Sequence, residues 1–388
     1  MLDWLIVGGG IHGVHIAARL IGERGVDPAR VAVVDPADRL LDRWRARADT
    51  VGMTHLRSPS VHHLGLTPQA LVKFAGDWKR RRNSPFAGSY SRPTLELFNA
   101  HCDHVLKTFS IDDRHVQDHA TRGAVRADRV AVGLRRGGEL EARNVVLAVG
   151  SGERPSRPEW APDEHPRIHH IFDPAFSGWP TSTETVVVVG GGLSAAQVAL
   201  RLLADGHDVR LVSRHPLREH RFDSEPGWLG PKYMAGFAKE RDYDRRRAVI
   251  TEARHRGSVP PVARLALCGA INRGDIVWHE GSVESLRTSG KGVLLRLSDR
   301  SRLYADRLLL ATGFAPARPG GSLVDSLVES ASLPCARCGY PIVDSRLHWH
   351  PRVRVSGALA ELELGPVARN IAGARRAGDR LVRGEWLS

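Results

Sequence analysis

Two glycine-rich turns of similar spacing, about 180 residues apart, constrain the fold of this chain more than any other feature. They are Gly8-x-Gly10-x-x-Gly13 and Gly190-x-Gly192-x-x-Ala195. Each turn follows a short apolar run and precedes a segment whose apolar residues have helical spacing, and a second apolar run comes after that segment. The pattern predicts two strand–turn–helix–strand units, the second a repeat of the first.

The first turn has the residues that a dinucleotide's pyrophosphate requires. Gly8 allows a tight turn, Gly10 lets the backbone approach the phosphates, and Gly13 lets the helix pack close to the strand. The helix N-terminus then offers free N–H groups to the phosphates. Asp35 lies 22 residues beyond Gly13, at the end of the next apolar run, where a carboxylate accepts hydrogen bonds from ribose hydroxyls. The alternative is a glycine turn without a ligand, which this context disfavours.

The second unit ends differently from the first. Its second apolar run leads into Ser213-Arg214, where the first unit has an acid. An acid would repel a ribose 2′-phosphate, whereas an arginine and a hydroxyl would bind one. We therefore expect Gly190, Gly192, Ala195, Ser213 and Arg214 to bind NADPH rather than NADH. The alternative is that Arg214 is one more solvated arginine in an arginine-rich chain.

Two further apolar runs end in glycine, at Gly150 and Gly313, and we expect each to complete one unit. Pro-rich stretches at 153–166 and 315–321 follow them and indicate crossings between domains. The predicted fold is therefore α/β, with two Rossmann-type three-layer domains. Residues 1–160 and 315–388 would form a discontinuous first domain, and residues 161–314 an inserted second one. Polar segments at 75–92 and 215–260 fit neither and are predicted to roof the active site.

The composition excludes several classes of protein. The net charge is +13, but the arginines are scattered and no nucleic-acid motif accompanies them, so we expect no nucleic-acid partner. Part of this charge should serve the phosphates of anionic ligands. Four cysteines are too few for a disulfide-stapled secreted fold. The first apolar run is too short for a signal sequence, and no run approaches the length of a membrane span. These features predict a cytoplasmic protein.

The pair Cys335-Ala-Arg-Cys338 allows three interpretations. The thiols are structural, or they form a redox-active pair, or they are half of a zinc site. No second Cys-x-x-Cys completes a zinc site, so structural thiols are favoured. Histidine pairs such as His169-His170 have no metal-binding pattern of carboxylates around them, and we predict no metal site.

The order of these motifs resembles the two-dinucleotide-binding flavoproteins, and most closely the flavin-dependent N-hydroxylases of lysine and ornithine. Met53-x-x-Leu56-Arg57-Ser58-Pro59 resembles the loop that passes the flavin ring in that family, which implies that Leu56 and Arg57 contact FAD. Residues 91–98 and 223–226 resemble two further stretches. Residues 357–370 stand where the family has an Asn-Gly-x-x-His-Gly stretch. Here Gly365 and Pro366 are predicted to start a helix, from about Val367, whose N-terminus faces the flavin.

The resemblance implies that FAD binds at the first unit and NADPH at the second. It implies a single-component monooxygenase that uses O₂ to oxygenate a small amine or another nucleophile, without an assigned catalytic side chain. One alternative is an NADPH-dependent disulfide or electron-transfer reductase, with Cys335 and Cys338 as its dithiol. A second alternative is a dinucleotide-binding protein without catalytic activity. The sequence leaves a homo-oligomer open.

Overall fold

The structure is a computed structural model that describes residues 1–76, 84–150, 154–174, 176, 178–290 and 292–382. Parts of three predicted segments lie outside the described residues. These are residues 77–83 of the first roof segment, 153 of the first crossing and 383–387 of the C-terminal helix.

The strands alternate with helices through both dinucleotide units. The strands are β1 Leu2–Val7, β2 Val31–Asp35, β3 Phe86–Ala87, β4 Arg92–Pro93, β5 His115–Gln117, β6 Ala120–Val125, β7 Val130–Leu134, β8 Glu139–Leu147, β9 Ile168–His170, β10 Thr185–Val189, β11 Asp208–Ser213, β12 Arg218–Glu219, β13 Ser258–Val259, β14 Ile276–Glu280, β15 Val283–Ser289, β16 Gly292–Leu297, β17 Arg302–Ala305, β18 Arg307–Leu310, β19 His348–His350 and β20 Val353–Val355.

The α-helices are α1 Ile11–Gly22, α2 Asp42–Thr50, α3 Ala70–Phe74, α4 Leu95–Thr108, α5 Leu193–Ala204, α6 Pro231–Lys239, α7 Tyr243–Ala253, α8 Pro261–Asn272, α9 Gly321–Ala331, α10 Glu361–Leu364 and α11 Ile371–Val382. Short 3₁₀ turns lie at Pro28–Arg30, Asp112–Arg114, Pro226–Leu229 and Gly357–Ala360. None of the helices in the described part of the chain is long and apolar enough to cross a membrane.

The larger sheet is built around the first glycine turn. Its strand order is β19-β20-β8-β1-β2-β5, and β7 and β6 extend it from β8. β1 runs parallel to both neighbours, with Leu5 opposite Ala32 on one side and Val145 on the other. Because helices cover both faces of such a strand, Trp4–Val7 of β1 form a continuous apolar and buried run. β20 comes from far along the chain and pairs with β8 through Val353 and Val145.

The second sheet repeats this arrangement around the second glycine turn. Its order is β14-β11-β10-β18-β9, and every pairing in it is parallel. β10 is its buried valine strand, with Val187 opposite Arg210 on one side and Leu308 on the other. Both predicted strand–turn–helix–strand units are therefore present, and the predicted α/β fold class is confirmed.

The C-terminal helix differs from the prediction. α11 begins at Ile371 and not near Val367, so Pro366 does not occupy its first turn. Residues 366–370 form a compact turn instead, which packs against the helix. A β-carbon at Gly373 would lie 2.3 Å from the carbonyl oxygen of Ala368, so glycine permits this contact. α11 then packs along α1, and Arg19 pairs with Asp379.

Candidate dinucleotide sites and their roof

The glycines of the first turn have distinct environments. Gly8 has φ +110°, and a β-carbon there would lie 2.5 Å from the carbonyl oxygen of Ala148. A β-carbon at Gly13 would lie 1.8 Å from the carbonyl oxygen of Gly8. A β-carbon at Gly10 would meet no atom within 4 Å. Packing therefore requires glycine at Gly8 and Gly13. At Gly10 the protein itself would accommodate a side chain, and glycine leaves the space beside the turn open.

A cavity lies beside this turn, between the carboxyl ends of the sheet and the C-terminal part of the chain. Its lining brings together the predicted Gly8, Gly10, Asp35 and Gly150. It also contains residues that the sequence analysis did not select, among them Gly9, His12, Arg43, Gly357, Ala358 and Arg369. A crevice at the carboxyl ends of parallel strands is where dinucleotides bind in such folds.

Asp35 suits the ribose of a nucleotide, and the start of α1 suits its phosphates. Asp35 Oδ2 accepts a hydrogen bond from the Gly9 N–H at 2.7 Å, and its Oδ1 accepts from the Ala37 N–H at 3.0 Å. Each oxygen keeps a second lone pair for a ribose hydroxyl. Gly10 caps α1 without any side-chain hydrogen bond to the helix, so its first N–H groups are available to phosphate oxygens. These residues fit FAD.

His12 connects the first turn to the C-terminal part of the chain. Its Nδ1 lies 2.9 Å from Ser356 Oγ. Burial lowers the pKa of His12 to about 4, against an opposing effect of the backbone at Arg369 and Asn370, so the ring is neutral at pH 7. No local sequence pattern predicts this contact, because the partners are 344 positions apart.

The second turn repeats the packing of the first. A β-carbon at Gly190 would lie 2.5 Å from the carbonyl oxygen of Ala311. In the first turn, a β-carbon at Gly8 would lie at the same distance from the carbonyl oxygen of Ala148. Gly192 caps α5, again without a side-chain hydrogen bond. Ala195 is buried in the first turn of that helix. The backbone of Gly257 lies directly over this turn, since a β-carbon at Gly192 would be 3.4 Å from the Gly257 Cα.

The two residues predicted to read a 2′-phosphate have different surroundings. Ser213 is 2% exposed. Its hydroxyl donates to the His215 carbonyl and accepts from Trp278 Nε1, both at 2.9 Å. Arg214 is exposed beside the end of β11. Arg214 therefore presents its charge to solvent, whereas Ser213 is engaged inside the domain.

Gly313 lies at the crossing between the two units. Its carbonyl accepts a hydrogen bond from the Ser156 N–H at 2.9 Å. The next residue, Phe314, stacks on Phe172 with ring centroids 5.4 Å apart, and the Arg47 guanidinium lies 4.7 Å above the Phe314 ring. Gly313 is thus part of the connection between the units.

We call residues 218–259 the roof. Arg57 binds one side of it through hydrogen bonds to several of its residues. The Arg57 guanidinium donates to Asp223 Oδ1 at 2.5 Å, and also to the carbonyls of Arg221 and His220 at 3.0 and 2.6 Å. The neighbouring Leu56 is buried in the core, and its N–H donates to the Pro93 carbonyl. The loop that resembles a flavin-contacting loop thus holds the roof through its arginine.

A buried carboxylate fastens the other side of the roof. Glu361 is 1% exposed and accepts hydrogen bonds from Arg247 of the roof and from Arg369, the latter at 2.6 and 2.8 Å. Burial alone would raise the pKa of Glu361, but the hydrogen bond and charge of Arg369 and the charge of Arg247 outweigh it and hold that pKa below its usual value. Because Arg369 also lines the cavity, this cluster joins roof and cavity.

The Gly365–Pro366 turn lies under the roof. A β-carbon at Gly365 would be 3.0 Å from Met234 Sδ of α6. The Pro366 carbonyl accepts a hydrogen bond from Arg254 Nη1 at 3.4 Å. Gly365 has φ +75°, which glycine adopts without strain. The turn is therefore held by contacts with two residues of the roof.

The two neighbouring cysteines lie in a turn, and Cys338 contacts Arg247 of the roof. Cys335 forms an isolated bridge with Pro341 at the base of a tight turn. It is exposed, and Cys338 is half-buried. Burial of its thiol raises the pKa of Cys335, which disfavours a thiolate. Neither residue is among those that line the cavity at the first glycine turn.

Two family models match the chain. Residues 5–152 match an FAD-NAD(P)-binding family, and residues 127–249 match the pyridine nucleotide-disulphide oxidoreductases. The chain has the fold of the two-dinucleotide-binding flavoproteins. Its domain content is thus that of an oxidoreductase that uses FAD and a nicotinamide dinucleotide.

Solved structures agree over almost the whole chain. Ornithine hydroxylase PvdA from Pseudomonas aeruginosa superposes with a TM-score of 0.75 and 17% identity, covering 98% of each chain. Ornithine N-hydroxylase KtzI from Kutzneria sp. 744, with reduced FAD, NADP⁺ and L-ornithine, gives a TM-score of 0.74 and 16% identity over 97% of each chain. A ferredoxin–NADP reductase from Ignicoccus hospitalis is 25% identical over 250 residues, which are 62% of this flavoprotein and 77% of the reductase. The resemblance to N-hydroxylases is thus confirmed in the fold.

Proposed function

We propose that this flavoprotein is an NADPH-dependent monooxygenase that oxygenates a small amine or another soft nucleophile with O₂. Residues 1–160 and 315–388 form its FAD-binding domain in this proposal, and residues 161–314 its NADPH-binding domain. The observation that carries the proposal is the attachment of the roof through Arg57–Asp223 and Arg247–Glu361, since Glu361 also pairs with Arg369 of the cavity lining. Oxygen chemistry on a flavin requires the exclusion of water, and a fastened roof supplies that exclusion.

The first domain holds FAD in this proposal. The N–H groups at the start of α1 bind the pyrophosphate, and Asp35 binds the ribose. Arg43 and Arg369, which line the cavity, add positive charge for the phosphates. When bound, FAD supplies the redox chemistry, and the protein contributes orientation and electrostatics.

The C-terminal part contributes to the same site in this proposal. Gly357 and Ala358 line the cavity, and Gly365 and Pro366 follow one short helix later, under the roof. We place this turn next to the flavin's ring system. The neutral ring of His12 holds Ser356 and hence the start of this segment.

The second domain holds NADPH in this proposal. The N–H groups at the start of α5 bind its pyrophosphate, and the exposed Arg214 binds the 2′-phosphate. Ser213 orients the following residues through its hydrogen bond to the His215 carbonyl. An arginine that pairs with a phosphate gives selectivity over NADH, which lacks that group.

The sequence similarity to a ferredoxin–NADP reductase favours a second candidate function, an NADPH-dependent electron-transfer reductase. The two functions differ in what the reduced protein does with O₂. Rapid mixing of the NADPH-reduced protein with O₂ is the deciding experiment. A monooxygenase gives a long-lived absorbance spectrum that belongs neither to oxidised nor to reduced flavin. A reductase returns directly to the oxidised spectrum and passes its electrons to an added quinone, disulfide or protein acceptor.

A substitution in the roof connects the result of this experiment to the Arg57–Asp223 ion pair. Asp223→Asn removes the charge that pairs with Arg57 at the roof's edge, so water should enter more readily. We expect the long-lived spectrum to decay faster and more H₂O₂ to be released per NADPH consumed. Asp325→Asn, whose partner is Arg318 outside the roof, is the matched control and should behave as wild type.

A further inference from the structure

A cluster of two histidines and one glutamate lies in the roof, apart from both glycine turns. His220 follows β12, Glu225 precedes the 3₁₀ turn at Pro226–Leu229, and His255 follows α7. One ligand atom from each residue lies within 4.8 Å of the others. We propose that His220, Glu225 and His255 form a site for a divalent transition-metal ion such as Zn²⁺.

The two imidazoles are stacked face to face. Their ring centroids are 3.7 Å apart and their planes differ by 25°. Neutral imidazole nitrogens are common ligands of Zn²⁺ and of the neighbouring first-row metals. Two histidines with one carboxylate are the protein ligands of several zinc and non-haem iron sites, which leave the remaining positions to water or substrate.

The hydrogen bond of His255 leaves the correct nitrogen free for a metal. Its Nδ1 lies 3.1 Å from the Phe222 carbonyl, which can only accept, so Nδ1 carries the proton. The lone pair is then on Nε2, which lies 3.7 Å from Glu225 Oε1. A backbone carbonyl on the second ring nitrogen is the usual outer partner of a metal-binding histidine. The tautomer is therefore set for coordination towards Glu225.

The loops that carry the ligands are held in place from both sides. The His255 N–H donates to the Asp223 carbonyl at 2.8 Å, and the His220 N–H donates to the Val259 carbonyl at 3.2 Å. Arg57 binds the carbonyl of His220 and the carboxylate of Asp223. Asp223 matches the charge of Arg57, and within the described residues Glu225 pairs with no arginine or lysine, so its carboxylate can balance a cation.

A rotation of the His220 ring out of the stack completes the coordination, because an imidazole lone pair lies in the plane of its ring. Two ligand atoms on a tetrahedral Zn²⁺ are about 3.3 Å apart, given Zn–N and Zn–O distances of roughly 2.0–2.1 Å. The pair His255 Nε2 and Glu225 Oε1 is already near this value. The Glu225 side chain is 57% exposed and can rotate towards both rings. Water completes the coordination on the exposed side.

The position of the cluster couples it to the nicotinamide dinucleotide turn. His255 is two residues from Gly257, whose backbone lies over Gly192 at the start of α5. A metal that joins residue 255 to 220 and 225 therefore fixes the segment that covers this turn. Because coupling between two sites is reciprocal, the ion and NADP⁺ should alter each other's affinity.

Calorimetric titration with Zn²⁺ tests the site. The protein is the full chain without an affinity tag and carries Cys335→Ser and Cys338→Ser, so that no thiol pair competes for the ion. We expect one Zn²⁺ per chain. Glu225→Gln and His255→Ala should weaken its binding on the order of 100-fold, because each removes one of three ligands. His348→Ala is the matched control, since His348 pairs with Asp344 outside the roof, and it should bind Zn²⁺ as the parent does.

Glu225→Gln keeps the test decisive if His255→Ala misfolds, because its side chain is exposed and close to the same size. The proposal is overturned if the parent binds no Zn²⁺, or if it binds Zn²⁺ and folded Glu225→Gln binds it equally well. A second readout is the Kd of NADP⁺ with and without Zn²⁺. A Zn²⁺-dependent change in the parent that disappears in Glu225→Gln supports the coupling, and an unchanged Kd in the parent contradicts it.

Discussion

Gly13 lies so close to Gly8 that a β-carbon on Gly13 would stand 1.8 Å from the Gly8 carbonyl oxygen. Gly10, between them in the chain, has open space where its β-carbon would be. The turn thus contains glycines that packing requires beside one that protein packing does not require. The difference allows cofactor binding and folding to be tested separately.

Gly10→Val should give a folded protein without FAD. The added side chain meets no protein atom near its β-carbon and projects into the space where the pyrophosphate must lie. The purified variant should be colourless, with circular dichroism like that of the FAD-free parent. A yellow variant with full flavin occupancy would show that FAD does not bind at this turn.

Gly13→Val should impair folding itself, before any question of FAD binding arises. Its side chain would collide with the backbone of Gly8, at a cost of about 3 kcal/mol or more. We expect insoluble protein or a melting temperature well below that of Gly10→Val, measured without FAD. Equal melting temperatures of the two variants would contradict the packing role of Gly13.

Arg214→Ala should change the choice of nicotinamide cofactor. A charge-assisted hydrogen bond contributes roughly 1.5–3 kcal/mol, so NADP⁺ should bind about 10- to 100-fold more weakly while NAD⁺ is nearly unaffected. Equilibrium titration of both cofactors measures this. Arg302→Ala, an exposed arginine on β17, is the control and should leave both constants unchanged. Equal losses for NADP⁺ and NAD⁺ in Arg214→Ala would make Arg214 a structural residue.

Glu361→Gln should loosen the roof. It leaves the charges of Arg247 and Arg369 without their buried carboxylate, and loss of one partner of a buried ion pair costs roughly 3–5 kcal/mol. The melting temperature at pH 7 should therefore fall. Glu361→Asp, which keeps the charge, should lose less than Glu361→Gln.

The effect of Glu361 should also depend on pH. Its folded-state pKa lies below the unfolded value of about 4.3, so its stabilisation is complete above that value and is lost as pH falls through the folded pKa. The melting temperatures of wild type and Glu361→Gln should converge below about pH 4. The difference between the two melting temperatures does not contain the effect of buried histidines such as His12, because these destabilise both proteins below about pH 6.5. A difference that stays constant down to acidic pH would contradict the ion-pair role.

The double variant Cys335→Ser, Cys338→Ser should retain NADPH-driven reduction of FAD and any oxygenation. Neither thiol lines the cavity, and burial disfavours the thiolate of Cys335. Stopped-flow reduction by NADPH and product formation are the measurements. Loss of turnover with retained FAD would favour the reductase function, with these thiols as its dithiol.

The two strand–turn–helix–strand units could be predicted from the sequence because their signals are local. Gly13 packs on Gly8 and Ala195 lies beside Gly190, so the contacts inside each turn are local, and the apolar strands need only their own periodicity. The predicted start of α11, near Val367, was wrong. Pro366 suits a first helical turn, but residues 366–370 pack against Gly373, and this contact decides where the helix begins.

The ion pairs that hold the roof could not be predicted in the same way, although the segment itself was predicted to be a roof. Arg57 and Asp223 are 166 positions apart, and Arg247 and Glu361 are 114 apart. No local pattern distinguishes these arginines from the many others in the chain. His12 was missed although it stands inside the first glycine motif, because its partner Ser356 comes from the far end of the chain.

The pairing of β20 with β8 has a consequence for biosynthesis. Val353 sits beside Val145, and Gly357 and Arg369 complete the cavity that begins at Gly8. During translation the early strands emerge first, and Val145–Leu147 of β8 lack this neighbour while some two hundred further residues are made. We therefore expect flavin to bind only after residues 353–369 have left the ribosome. Until then this part of the nascent sheet offers chaperones an open edge.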